Sequence, residues 1–180
     1  MGRKHIDRRV FLRNATLASL SLTGGAAARA ERSQTRSLSL IHTHTGEHLT
    51  ETYFDVNGYA SAALDRINRF LRDFRTDEVH AIDVRVLDTL HDLQVLTGHE
   101  ACYEIISGYR SPQTNAALRR GSTGVAEHSF HMQGRAIDVR LPGFSTSQLH
   151  DLARSMGRGG VGFYPRSDFV HVDSGPVRFW

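Results

Sequence analysis

The strongest constraint on this chain is a series of short alternating segments crowded into its last third. RAIDVRL (135–141), GGVGFY (159–164), DFVHVD (168–173) and VRFW (177–180) each read as a strand. Only Pro165-Arg166-Ser167 and Ser174-Gly175-Pro176 part the last three. Period-two patterning puts alternate side chains on opposite faces, so one face of each strand is free to enter a core. Upstream the period changes. Apolar residues at 64, 67, 70, 71 and 74 form a helical stripe over 60–74. Ile82, Val86, Leu90 and Leu93 mark a second helix over 79–98, with Gly98 as C-cap. SPQTNAALRR (111–120) reads as a short helix with Pro112 in its first turn. STSQLHDLARSM (145–156) follows a Ser or Thr cap and stops at Gly157. LSLIH (38–42) and LTETYF (49–54) form a hairpin around a TGE turn, and CYEIISG (102–108) is a further strand. Helices come early and most strands late. The expected class is therefore α+β, an antiparallel sheet with helices packed on it.

The first thirty residues stand apart. DRRVFLR (7–13) carries an arginine pair, a modest apolar run follows, and Ala28-Arg29-Ala30 is a small-x-small cleavage signature. This pattern resembles a twin-arginine export signal, which implies recognition by the twin-arginine translocase and a periplasmic destination. The expected organisation is a signal at 1–30, a polar tether at 31–37 and one domain at 38–180. The apolar run is short and rich in Ser, Thr and Gly, so no stable membrane insertion is expected. The formal charge of +3 also belongs to the signal. Beyond residue 30 there are 16 Lys and Arg against 18 Asp and Glu, formally −2, which gives no support to a nucleic-acid partner. Cys102 is the single cysteine, so an internal disulfide is excluded, and its apolar setting suits a structural thiol.

HSFHMQGRAID (128–138) is the stretch with the most chemistry. His131 precedes a strand, Asp138 lies within it, and Gly134 permits a sharp path between them. FVHVD adds His171 and, on the same strand face, Asp173. Two imidazoles and a carboxylate suit a catalytic zinc (Zn2+) site, which needs three protein ligands and an open position. Spacing alone leaves open whether these are ligands or ordinary polar residues on a loop and two strands.

The pattern S-x-H-x-x-G-x-A-x-D in SFHMQGRAID resembles that of zinc peptidases of the D-Ala-D-Ala metallopeptidase superfamily. SGYRSPQTNAAL (107–118), GVAEHSFHMQGRAIDVRL, GGVGFYP and DFVHVDSG follow in that family's order, covering about residues 38–180. The exported murein endopeptidase K group is the nearest resemblance. It implies a hedgehog/D-Ala-D-Ala-peptidase-like fold, zinc on His131, Asp138 and His171, and hydrolysis of cross-links between peptidoglycan peptide stems. Asp168, three residues before His171, then matches the family's general base, with Asp173 as the rival carboxylate or as a residue orienting a ligand. Arg110 matches an arginine beside the scissile bond, and Ser129 a serine contacting substrate or backbone. A carboxypeptidase trimming the stems and a non-catalytic wall-binding module are the rival functions. His42, His44 and His48 in IHTHTGEH are expected to be solvated or structural, and His128 a loop residue lining the cleft.

Overall fold

Strand β1 (Arg36–His42) pairs antiparallel with β2 (His48–Asp55), forming the expected hairpin in the computed structural model, which describes residues 35–98, 102–121 and 124–180. The expected signal and residues 31–34 of the tether lie outside the described residues. β1 begins at Arg36, two residues inside the stretch expected to be tether. Leu38 and Leu40 enter the core, while Ser37 and Ser39 meet Thr52 and Thr50 on the other face, at 2.8 and 3.0 Å. A two-residue strand that the sequence pattern did not reveal, β3 (Gly58–Tyr59), folds back on β2.

Helix α1 (Ser61–Phe70) is shorter than its apolar stripe. The chain leaves the helix after Leu71, and the Asp73 carboxylate accepts from the backbone N–H of Arg75 and of Ser111. Leu71 and Phe74 therefore extend the stripe from a turn. α2 (Val84–Thr97) starts later than its pattern. Asp83, itself extended, caps it by accepting from the Arg85 N–H at 3.0 Å, and residues 79–83 lead into that cap outside any helix. Gly98 closes α2 in the left-handed conformation. Then come β4 (Tyr103–Ser107), α3 (Pro112–Gly121), a 3₁₀ turn (Phe130–Gln133) and β5 (Ala136–Arg140). α4 (Thr146–Met156) carries a full capping box between Ser145 and Gln148, and β6 (Gly160–Tyr164), β7 (Phe169–Asp173) and β8 (Arg178–Phe179) complete the chain.

Among the described residues the eight strands form one sheet, in the order β3-β2-β1-β4-β5-β7-β6-β8. The sheet is mixed, not antiparallel throughout as the sequence suggested. β1 and β4 are parallel, because α1 and α2 lie between them and give the chain length to return to the same end. β8 is parallel to β6, because the segment after β7 crosses the end of β6 and lands on its far side. The apolar face of this sheet, with Leu40, Ile105, Val139 and Val170, packs on Ile67 of α1, Leu87 and Leu90 of α2, and Leu149 of α4. Each such buried side chain contributes on the order of 1.5–3 kcal/mol. That core holds β5 and β7 side by side at the centre of the polar chemistry.

Candidate metal centre and its cleft

Strand register sets two of the three expected ligands against each other. β5 and β7 pair antiparallel with Asp138 directly opposite His171. Their neighbours Val139 and Val170 turn into the core, so Asp138 and His171 share the other face. His131 arrives from the 3₁₀ turn. Ser129 caps that turn by accepting from the His131 N–H, and Gly134 ends it at φ 63°, a conformation glycine adopts without a Cβ penalty. A Cβ on Gly134 would also collide with the Ala81 carbonyl, so the close approach of α2's leading segment depends on the same residue.

The donor atoms converge. His131 Nε2 lies 3.2 Å from His171 Nδ1 and 3.3 Å from Asp138 Oδ1, and His171 Nδ1 lies 2.8 Å from Asp138 Oδ1. All three residues are buried. Their outer partners fix which ring nitrogens carry protons. His131 Nδ1 is 2.8 Å from the Gly108 carbonyl, which can only accept, so Nδ1 donates and Nε2 keeps its lone pair. His171 Nε2 is 3.0 Å from Asp173 Oδ2, so it donates there and Nδ1 faces the centre. Three acceptors then point at one another. A proton on His171 Nδ1 satisfies them in part, and a divalent cation satisfies all three, so the donor set fits a metal ion.

The electrostatics agree. Burial alone would lower the His171 imidazole, but its hydrogen bonds with Asp138 and Asp173 hold it at about 9, so positive charge is favoured at this point. Burial opposes ionisation of Asp138, yet His131 and His171 hold it well below the usual carboxylate range. Burial drives His131 the other way, downward, keeping its imidazole neutral and able to ligate. Among the described residues no other cluster of three or more His, Cys, Asp or Glu converges in this way. His42 is buried between Phe70 and Phe74, and His44 stacks on Phe74 at 4.4 Å, a packing role.

A cleft of about 570 Å³ opens over the trio, lined among others by Arg110, His128, Phe130, Tyr164, Phe169 and Trp180. Arg110 follows β4 and is only 11% exposed, with Nη2 3.7 Å from Asp138 Oδ2. Its Nη1 donates to Asn115 at 3.3 Å and Nη2 to Ser107 at 3.4 Å, while Nε has no hydrogen-bond partner among the described residues. Burial lowers its pKa from the free value, against the pull of Asp138. Ser129 spends its hydroxyl on the 3₁₀ turn. Asp173 is wholly engaged, accepting from Gly160 N at 3.1 Å, Gly175 N at 2.8 Å, His171 and Arg178.

Asp168 is not brought to the trio. It sits in the β6–β7 turn at φ 52°, with its side chain 67% exposed. Its carboxylate takes a hydrogen bond from Thr146 at the start of α4 and lies 3.3 Å from Arg140 Nε. It borders a separate cavity of about 220 Å³, shared with Glu104, Arg140 and Leu149. The turn's left-handed residue and these two anchors aim it away from His171. Conversely, sequence reading missed Arg178, Trp180, Tyr164 and Phe130 at the cleft. The signal available was VRFW, an arginine followed directly by two aromatics at the end of a short strand.

The family described as peptidoglycan L,D-endopeptidase MepK matches residues 30–180. The Escherichia coli (strain K12) protein named peptidoglycan L,D-endopeptidase MepK is 45% identical over 145 residues, 81% of this chain and 80% of the relative. The Haemophilus influenzae protein named probable peptidoglycan L,D-endopeptidase MepK is 41% identical over 146 residues, 81% of this chain and 78% of the relative.

Proposed function

This chain belongs to the peptidoglycan L,D-endopeptidase MepK family, and we propose that it hydrolyses peptide cross-links between peptidoglycan stems. The bond we favour joins an L to a D centre, as in the diaminopimelate-to-diaminopimelate link. The observation that carries this reading is the convergence of His131, Asp138 and His171 acceptor atoms, all within 4.8 Å of one another, beneath an open cleft.

Zinc is the ion we assign to these residues, since two imidazoles and one carboxylate suit it. When bound it supplies Lewis acidity, lowering the pKa of water and polarising a carbonyl. The protein's own part is orientation and charge. Gly108 and Asp173 fix the two imidazoles with one lone pair each turned inward. Arg110, held by Asn115 and Ser107 at the cleft wall, brings its guanidinium charge to a stem carboxylate or to the oxyanion that develops as the amide is attacked. Tyr164, Phe169 and Trp180 wall the cleft and exclude water from the aliphatic stem. Asp168 serves as proton acceptor in this reading only if its carboxylate leaves Thr146 and Arg140.

Residues 1–30 are proposed to take the chain through the twin-arginine route to the periplasm, where the substrate lies. Among the described residues, no helix is long and apolar enough to cross a membrane.

The test is digestion of purified sacculi by the purified chain, with and without a chelator, followed by mass identification of muropeptides. Cross-linked dimers should fall to monomers, stop falling under chelation and resume on adding zinc. Unchanged dimers with shortened stems would mean a carboxypeptidase. Binding to sacculi without any product, by zinc-loaded protein, would mean a recognition module.

A further inference from the structure

Arg178 lies outside the convergent trio, yet it touches the carboxylate that holds His171 and the ring next to His131. Its Nη2 is 2.7 Å from Asp173 Oδ2 and its Nη1 3.2 Å from Asp173 Oδ1, a forked pair with a carboxylate that is fully buried. The same carboxylate accepts from His171 Nε2. The guanidinium carbon lies 5.0 Å from the Phe130 ring centre and 4.9 Å from the Trp180 ring centre. Phe130 adjoins His131 on the 3₁₀ turn, and Trp180 packs 5.2 Å from His171. Space for this arrangement is made by glycine: a Cβ on Gly160 would collide with both the Asp173 carboxylate and the Arg178 guanidinium.

We propose that Arg178 is a positioning residue for the metal centre, acting through Asp173 on the His171 ring and through Phe130 and Trp180 on the cleft wall. The inference rests on the metal reading above. Without its forked partner, Asp173 keeps the two backbone N–H bonds but loses the fix on Oδ2, the oxygen that sets the tautomer and plane of His171. A lysine presents one point charge where the fork needs two fixed donors, and it lacks the planar guanidinium that stacks on aromatic faces.

The experiment measures zinc affinity by competition with a chromophoric chelator for the wild-type chain, Arg178→Gln, Arg178→Lys, Asp173→Asn and the double variant Arg178→Gln/Asp173→Asn. Loss of an outer partner of a metal ligand typically weakens binding by about 10- to 100-fold, and that is the loss expected for Arg178→Gln. Arg178→Lys should fall between it and wild type. In the Asp173→Asn background, Arg178→Gln should cost less than about twofold more, the mark of two residues acting as one unit. The absorption bands of the cobalt-substituted chain should shift in Arg178→Gln, which a remote effect on folding does not produce. Wild-type zinc affinity in Arg178→Gln with a raised KM would overturn the inference and make Arg178 a substrate contact. Additive losses in the double variant would overturn it too. A wild-type chain that binds no stoichiometric zinc would instead overturn the metal reading itself.

Discussion

Two strand pairs in this sheet share the same alternating pattern and put it to opposite uses. In the β1–β2 hairpin the polar positions, Ser37 and Ser39 against Thr52 and Thr50, form hydroxyl pairs on an exposed face. In the β5–β7 pair the polar positions are Asp138, His171 and Asp173, and they are 5%, 8% and 4% exposed. The difference lies in what covers each face. The hairpin hydroxyl pairs stay open to solvent, whereas the 3₁₀ turn, the Gly108 carbonyl and the segment after β7 close over the second set. Burying carboxylates costs several kcal/mol each unless partners compensate, so such a cluster is a poor device for stability. In the metal reading proposed above, its use is to gather acceptors around a cation.

The sharpest break between the two regions should come from removing one acceptor. Asp138→Ala should abolish stoichiometric zinc and lower muropeptide release by more than about 100-fold, beyond the range for an outer-shell partner. Zinc content measured on the same samples checks the cause: retention of one zinc per chain with full activity would exclude Asp138 as a ligand. Arg110→Lys should come next. Its loss of forked donors should lower kcat/KM by roughly 100-fold, the scale of one oxyanion donor, with zinc content unchanged. Coincident loss of zinc would mean that Arg110 works by holding Asp138 in place, not by meeting substrate.

How far the sequence foretold these two regions follows from how local each signal is. Helix limits set by caps were legible: Gly98 and Gly157 end their helices in the left-handed conformation, and Ser145 opens α4 with a capping box. The hairpin was legible because alternation and a short turn lie together. The parallel pairing of β1 with β4 was not, since it depends on where α1 and α2 carry the chain, which no local pattern encodes. In the site, motif spacing pointed to His131, Asp138 and His171, and register then placed two of them opposite each other. Asp168 shows the limit of spacing. Three residues before a histidine reads as one motif in sequence, but a left-handed residue at the turn, a hydrogen bond from Thr146 and an ion pair with Arg140 hold that carboxylate elsewhere. Arg178 and Trp180 were overlooked because their partners come from β6, β7 and the 3₁₀ turn, joined only by folding.

Asp168 therefore tests whether the polar edge of β7 belongs with the buried set or with the exposed one. With its carboxylate bound to Thr146 and Arg140 outside the cleft, Asp168→Asn should leave turnover within about threefold of wild type, because exposed ion pairs contribute little. A fall beyond about tenfold with zinc retained would show that the carboxylate visits the cleft during turnover and takes a proton there, the contribution expected of a general base.

The smallest effect should come from the hairpin. Ser39→Ala removes one exposed hydroxyl pair with Thr50 and leaves the core face, with Leu38 and Leu40, untouched. Cross-strand pairs of this kind contribute about 0.2–1 kcal/mol, so the loss should sit within that range. For a domain of this size that corresponds to a drop of roughly 0.4–4 °C in the thermal midpoint, with muropeptide release unchanged. A loss above about 2 kcal/mol would exceed what one exposed pair can supply. It would mean that this face, too, is covered in the working protein, and the contrast between the two strand pairs would then rest on chemistry alone and not on burial.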